Sequence, residues 1–116
     1  MDVSSVSSAF LMFTGLEDEK PYLPLILTSV SEIENILKDN VDKTDMRLIV
    51  LTASLANLRY TEMTASRERF KYTANGAVAS AHDDSAQVNS ARSMFQCFLT
   101  ASKDLVKDER FFFSGV

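Results

Sequence analysis

Residues 44–65 read TDMRLIVLTASLANLRYTEMTA, and this stretch decides which fold the rest of the chain can adopt. Its apolar side chains recur at steps of three and four residues, which is the spacing of one face of an α-helix. The first apolar row consists of Met46, Ile49, Val50, Ala53, Ala56, Tyr60 and Met63. A second row beside it consists of Leu48, Leu51, Leu55 and Leu58. Because a helix that is apolar on two sides is usually buried between other elements, we expect a central helix, capped by Thr44 or Asp45, in a small bundle.

The length and composition of the chain suit one folded domain with a single core. The chain has 116 residues, of which 46% are hydrophobic, and its eight Phe and three Tyr argue against disorder. No apolar run approaches the roughly 20 residues that a membrane-spanning helix needs. The first residues, MDVSSVSSAFLMFTG, carry Asp2 and no basic region ahead of their apolar patch. That pattern is not typical of a signal peptide, so we expect synthesis inside the cell.

Two further helices are predicted ahead of the central one. Residues 4–14 form a short apolar pattern, with Ser4 or Ser5 as its cap and Gly15 as its end, because glycine tolerates the left-handed conformation found there. Residues 22–38 form a longer apolar pattern of helical spacing. The link from this pattern to the central helix is short, so we expect the two helices to pair antiparallel.

The spacing of the apolar residues changes after the central helix. Residues 70–80 alternate around Asn75 and Gly76, and Asn-Gly between short alternating runs is the strongest local signal for a β-hairpin. A last helix is predicted to begin at a capping box formed by Asp84 and Gln87 and to run to about Lys107. Its expected core row is Val88, Ala91, Phe95, Phe98, Leu99, Ser102, Leu105 and Val106.

The predicted fold class is therefore mainly α. We expect a small helical bundle of three long helices plus a short N-terminal helix, with a β-hairpin inserted before the last helix. Residues 1–116 form one domain, with the hairpin at residues 70–80 and a C-terminal tail at residues 109–116.

The sequence contains no pattern of residues that indicates catalysis. A Gly-rich phosphate loop, a Walker-type lysine, a His–Glu–x–x–His motif and paired cysteines are all missing. Cys97 is the sole cysteine and is interpreted as a small core residue, since nothing pairs it with the sole histidine, His82. The acids at 17–19 and 83–84 are interpreted as helix-start residues rather than ligands. No catalytic, cofactor or metal site is therefore predicted.

Charge is distributed unevenly along the chain. The net charge of −4 argues against a dedicated nucleic-acid clamp. Residues 17–45 hold eight acids and three bases, whereas residues 47–71 hold five bases and two acids. Two interpretations remain open: these are solvated helix faces, or they are complementary patches that meet between neighbouring subunits.

Two groups of residues are predicted to bind partners. The first combines a basic trio at strand spacing with the turn of the predicted hairpin: Arg67, Arg69, Lys71, Asn75 and Gly76. The second is the aromatic run of the tail: Phe111, Phe112 and Phe113. Three consecutive Phe cannot all share one helix face, so the tail either folds back through Phe111 or docks on a partner.

The order of these elements resembles that of a known family. A short helix carries AFLMFTG, acids follow, and the next helices carry PLILTSVSEIENIL and LTASLANLRY. A predicted hairpin and a last helix ending in DLVKDERFFF complete the order. Over roughly residues 8–113 the chain resembles the head–tail connector proteins, also called adaptor or head-completion proteins, of tailed phages and prophages.

This resemblance implies an all-α structural protein of the virion neck, made in the host cytoplasm. It implies a homo-oligomeric ring, a dodecamer, that sits between the portal protein and a downstream neck or tail protein. DNA would pass through the ring without sequence-specific binding, no membrane would be involved, and the hairpin or the tail would dock on the neighbouring components. The alternative is a small helical interaction module, such as a tail-assembly factor or a bacterial regulator. An enzyme is the least supported class, because no acid–base or nucleophile set converges.

Overall fold

The protein is built from four α-helices joined by short links. The computed structural model describes residues 1–74 and 81–107, with side chains described at 1–68 and 86–107. The helices are α1 (Val3–Thr14), α2 (Leu23–Ile36), α3 (Met46–Ala74) and α4 (Ala81–Ala101). Single turns of 3-10 helix lie at Lys20–Tyr22 and Lys103–Leu105. The described residues contain no β-strand, and the expected all-α class is confirmed.

The ends of α1 follow from the residues that flank it. The Asp2 carboxylate accepts a hydrogen bond from the Ser4 backbone N–H at 3.1 Å and another from the Ser5 hydroxyl at 2.7 Å. Asp2 is thus the cap, and the prediction of Ser4 or Ser5 in that role is wrong. Gly15 ends the helix as expected: its φ is 76°, and its N–H donates to the carbonyl of Leu11.

The second helix is shorter than predicted because its last residues pair with another segment. Pro24 lies in its first turn, where a missing N–H costs no helical hydrogen bond. Leu37 is extended and pairs with Val106 in an isolated antiparallel bridge. The Lys38 N–H donates to the Leu105 carbonyl at 2.9 Å, and the Lys107 N–H donates to the Ile36 carbonyl at 2.6 Å. This bridge ties the end of α2 to the segment that follows α4.

The central helix α3 is buried on two sides, as the two apolar rows predict. Asp45 caps it by accepting a hydrogen bond from the Arg47 N–H at 2.9 Å. The leucine row, Leu48, Leu51, Leu55 and Leu58, packs with Ile33, Ile36, Leu37, Ala91, Phe95, Leu99 and Val106. The other row, through Ile49, Ala53 and Ala56, packs with Val6, Phe10, Ile26 and Val30. Met46 is the exception in the first row, since 68% of it is exposed.

Side-chain contacts show how the helices run past one another. Tyr22, at the start of α2, lies 5.3 Å from Tyr60 between ring centroids, and Glu34, near its end, pairs with Lys43 just ahead of α3. The predicted antiparallel pairing of α2 and α3 is consistent with both contacts. Arg92 in α4 pairs with Glu62 in α3, whereas Asp104 beyond α4 pairs with Arg47 at the opposite end of α3. Helix α4 therefore also runs antiparallel to α3.

The structure contradicts the predicted β-hairpin over residues 70–74, which continue α3. Residues 75–80, with Asn75 and Gly76, lie outside the described residues. The helical outcome has a physical reason: a helix that is already formed gains one hydrogen bond for each residue added, whereas a lone two-stranded hairpin is marginal in water.

The predicted start and end of the last helix are also wrong. Helix α4 begins at Ala81, so Asp84 lies inside it rather than at its cap. It ends at Ala101, where the backbone turns into the 3-10 segment and the bridge to α2. The predicted core row is largely confirmed, with Ala91, Phe95, Leu99, Ser102 and Val106 buried.

Candidate interaction surface

The structure does not bring the predicted basic trio together in the way the sequence suggested. Arg67 is exposed on α3, and its guanidinium lies 3.7 Å from the sulfur of Met63. Arg69 and Lys71 belong to the same helix. Helical spacing puts positions 67 and 71 on one face and position 69 on roughly the opposite side, so the prediction of strand-like alternation is wrong. The other predicted contact residues, Asn75, Gly76, Phe111, Phe112 and Phe113, lie outside the described residues.

Several charges of the acidic and basic segments pair within the chain. Arg59 of α3 forms an ion pair with Glu32 of α2. Arg47 pairs with Asp45 at 3.0 Å and with Asp104 at 3.1 Å. Two of the five bases in residues 47–71 are therefore engaged by acids of the same subunit. Exposed ion pairs add little stability each, but these pairs reduce the charge that the first half of α3 offers to a neighbour.

Hydrogen bonds lower the pKa of three carboxyl groups at the starts of helices and turns. The Arg47 side chain and then its backbone N–H lower the pKa of Asp45. The Thr44 hydroxyl and N–H lower the pKa of Asp42, and the Ser5 hydroxyl followed by the Ser4 N–H lowers that of Asp2. In each case the donors stabilise the charged form of the carboxylate.

A groove of about 530 Å³ lies between α1 and α4, with α3 as its floor. Both outer helices pack on α3, yet they stay apart along this part of its length. The floor includes Asn57, Tyr60 and Thr61. Phe13 lines the α1 side, and Ser90 and Met94 line the α4 side. The volume lies within the range of about 300–1,000 Å³ that is typical of binding clefts.

Aromatic contacts hold the walls of this groove in place. Tyr60 meets Phe10 edge-on, with ring centroids 6.0 Å apart, and meets Tyr22 edge-on at 5.3 Å. Phe13 of the α1 wall stacks on Phe98 of α4, with ring centroids 6.1 Å apart. Such ring pairs contribute about 0.5–1.5 kcal/mol beyond the area they bury. The groove is therefore a preformed feature with an apolar wall on each side.

Asn57 is a largely buried polar residue in the floor of the groove. Only 9% of the residue is exposed, and its side-chain amide makes no hydrogen bond to any described residue. Its backbone carbonyl accepts a hydrogen bond from the Thr61 hydroxyl at 2.7 Å, as one turn of helix allows. The amide is not among the buried side-chain groups that lack a hydrogen-bond partner, so its donor and its acceptor are open to the groove. Asn57 thus offers both functions to whatever enters the groove.

The outward face of α4 beside the groove carries small, uncharged residues. Its exposed positions between 86 and 101 are Ala86, Gln87, Asn89, Ser90, Ser93, Cys97, Thr100 and Ala101. Arg92 is the charged residue in that interval, and it pairs with Glu62 at 3.7 Å. The interpretation of Cys97 as a core residue is wrong, because the buried row of α4 passes through Phe95 and Leu99 and leaves Cys97 exposed.

The groove is the feature that the sequence analysis missed. It depends on a gap between α1 and α4 beside Tyr60, and no local pattern encodes that gap. Phe13 belongs to the apolar pattern of residues 4–14, and Asn57 interrupts the apolar rows of α3, but neither signal locates a cleft. Within the described part of the chain, no group of three or more His, Cys, Asp or Glu gathers as a metal ion requires. None of the described helices is long and apolar enough to cross a bilayer.

Comparison with protein-family models, with curated proteins and with solved structures found no match to this chain.

Proposed function

We propose that this protein is a structural assembly protein, a head–tail connector of a tailed phage or prophage that forms a ring between portal and tail. The connector assignment rests on the order and residues of the helical elements. One structural observation supports a role in assembly: a preformed groove with an unpaired, largely buried Asn57 lies beside an uncharged helix face. Charged residues are depleted in the cores of protein interfaces, and aromatic residues and Met are enriched there.

Ring formation is consistent with the different faces of the subunit. A contact between two unlike surfaces, repeated by rotation, closes into a ring when the rotation divides a full turn. The groove and the α4 face form one surface, whereas the exposed end of α3 with Arg67 forms another. A copy that presents one surface to the other surface of its neighbour generates such an assembly.

The charge of the chain suits a channel through which DNA slides. Binding to DNA is driven mainly by Lys and Arg side chains that bind phosphates, so a surface with few free bases holds DNA weakly. The chain has 12 Lys and Arg against 16 Asp and Glu, and several of its Arg side chains pair within the subunit. We therefore expect weak DNA binding without sequence preference.

The same surface also suits the alternative function, a small helical interaction module such as a tail-assembly factor or a bacterial regulator. The two functions differ in partner and in stoichiometry. A connector binds a portal ring and closes a ring of its own, whereas a module binds a monomeric or dimeric partner. Genes for portal, capsid and tail proteins on either side of its own gene favour the connector.

The deciding experiment uses the purified full chain with the portal protein encoded beside it. Sedimentation reports the mass of each species, and electron microscopy of the mixture shows whether a second ring is added to the portal. A connector is expected to add a ring in register with the portal. Sedimentation as a monomer, both alone and with the portal, contradicts the proposal.

A further inference from the structure

We infer that the groove between α1 and α4 receives the C-terminal segment of a second copy, with residues 111–113 lying against Phe13 and Met94. The inference depends on the self-association proposed above, but it does not depend on the connector assignment. It gives that self-association a named donor segment and a named acceptor site.

The walls of the groove match the side chains of the tail. The segment after Lys107 reads DERFFFSGV, so three phenyl rings follow one another within nine residues. Phe13 offers a ring face or edge, and Met94 offers a flexible thioether that adapts to aromatic neighbours. Ser90 and Thr61 are small enough to leave space for rings between these walls. A phenyl ring in such a cleft is the kind of anchor that dominates interface energies.

The floor of the groove matches the backbone of an incoming peptide. The Asn57 amide lacks a partner among the described residues, and it is nine-tenths buried. A peptide unit carries one N–H and one C=O, which complement the carbonyl and the NH₂ of the amide. Entry of a peptide therefore exchanges the contact of this amide with solvent for direct hydrogen bonds to the peptide. This pairing also selects an extended segment rather than a free apolar molecule.

The place where the described chain ends favours a second copy as the donor. Lys107 is held at the end of α2 by the hydrogen bond to Ile36, and no residue of α2 lines the groove. The Arg47–Asp104 pair places the segment that contains Asp104 beside the start of α3. The groove begins further along α3, at Asn57. Along α3, the distance from Arg47 to the groove residues Asn57 and Tyr60 is about 15–20 Å at 1.5 Å per residue. An extended chain covers about 13–20 Å between Lys107 and the Phe run. The Phe run therefore reaches the level of the groove in its own subunit only when most of the segment is fully extended along the axis.

The test exploits a protein that contains no Trp. Phe112→Trp in the full chain keeps an aromatic ring in the tail and makes it the sole indole fluorophore. If the tail enters the groove of another copy, the emission shifts to shorter wavelength as protein concentration rises, and it returns on dilution. Emission that is shifted at every concentration places the tail on its own subunit, and emission that never shifts leaves it in solvent. Either result overturns the inference.

Two matched variants locate the acceptor site. Ser90→Arg fills the groove, and Ser31→Arg adds the same side chain at an exposed position of α2, a helix that does not line the groove. In the Phe112→Trp background, Ser90→Arg is expected to raise the midpoint concentration of the shift about tenfold or more, as removal of an interface anchor does. Ser31→Arg is expected to leave that midpoint within about twofold. An equal effect of the two variants overturns the assignment of the groove.

Sedimentation of the same samples, free and with portal, separates the two proposals. Association without an emission shift contradicts the tail-in-groove contact alone. Absence of association in both samples contradicts the proposed function as well. Circular dichroism of each variant establishes that helical content is retained.

Discussion

Arg47 links the start of the central helix to the segment that follows the last helix. Its guanidinium bonds Asp45, the helix cap, and reaches Asp104 across the bundle at 3.1 Å. The contact to Asp45 raises the pKa of Arg47 and lowers that of Asp45, so both groups stay charged over the physiological range. One side chain therefore stabilises a helix end and joins two distant segments.

The lowered pKa of Asp45 predicts a direction for the effect of acid. The unfolded carboxyl titrates near its ordinary value of 3.8, and the folded one titrates lower, so the unfolded chain binds more protons between these values. The stability supplied by the charged carboxyl is present above the ordinary value and is lost as the pH falls through the folded value. We expect urea-unfolding midpoints to be steady from about pH 7 to about pH 5 and to decrease below about pH 4.

Substitution of this carboxyl should reduce that acid sensitivity. Asp45→Asn is expected to lower the midpoint at neutral pH and to show a smaller loss between about pH 5 and about pH 3 than the parent chain. Asp39→Asn is the matched control, since Asp39 is exposed and accepts no hydrogen bond from another described residue. An unchanged acid profile in Asp45→Asn contradicts the prediction.

Gly15 is the second residue whose conformation has a measurable consequence. Its φ of 76° lies in the left-handed region, and no atom lies within 4 Å of a Cβ placed there. Gly15→Ala is therefore expected to cost about 1–2 kcal/mol through backbone strain alone, without a steric clash. Gly15→Asn should cost less, because Asn tolerates this conformation better. Equilibrium unfolding in urea measures both, and a Gly15→Ala variant as stable as the parent contradicts the argument.

At the scale of elements, the other three described helices all pack against α3. Its leucine row faces α4 and the end of α2, whereas its Ile49–Ala56 side faces α1 and the rest of α2. Neither α1 nor α2 is long enough to be stable alone in water, since isolated helices below about 12–15 residues are marginal. Their stability comes from apolar contact with α3.

Removing part of the leucine row should therefore destabilise the whole domain. Leu51 is fully buried, so Leu51→Ala is expected to cost about 2–5 kcal/mol, from reduced apolar burial and from the cavity that remains. Leu27 is 49% exposed on α2, and Leu27→Ala is expected to cost well under half of that. Thermal or urea unfolding measures the difference. Similar costs for the two variants contradict the central position of α3.

At the scale of the whole molecule, the subunit presents two distinct surfaces. The α1–α4 groove and the uncharged face of α4 lie beside the middle of α3. The C-terminal end of α3 forms a second region, in which Ala65 is still buried. Arg67 is exposed on that end. This separation is what a repeating contact between unlike surfaces requires.

Charge reversal at the end of α3 tests whether that region binds a neighbour. The double variant Arg67→Glu with Arg69→Glu is expected to weaken assembly, because reversed charges oppose complementary potentials across an interface. Lys20→Glu with Lys38→Glu makes the same change in net charge at two exposed lysines elsewhere. Sedimentation at matched concentrations reports assembly, and circular dichroism reports helical content. If the first variant assembles as well as the control, the basic segment is a solvated surface only.

Local patterns predicted the helices well, but they predicted the segments between the helices poorly. The double apolar row of α3, the left-handed Gly15 and the Asp45 cap are all consequences of residue type and spacing, and the structure contains all three. The hairpin prediction is wrong over residues 70–74 because it relied on a local turn signal and did not consider that α3 could continue through these residues. In the folded chain, those residues extend a helix that tertiary contacts had already stabilised.

The amino-acid sequence by itself determined that this protein is helical, where its central helix lies and which faces of that helix are buried. Those properties follow from periodicity and from short-range hydrogen bonds, which neighbouring residues control. Only the tertiary structure decided that α1 and α4 stand apart over Tyr60, that the Asn57 amide lacks a partner among the described residues, and that Arg47 and Arg59 pair within their own subunit. These features depend on distances between segments far apart in the chain, and no local pattern of residues sets such distances.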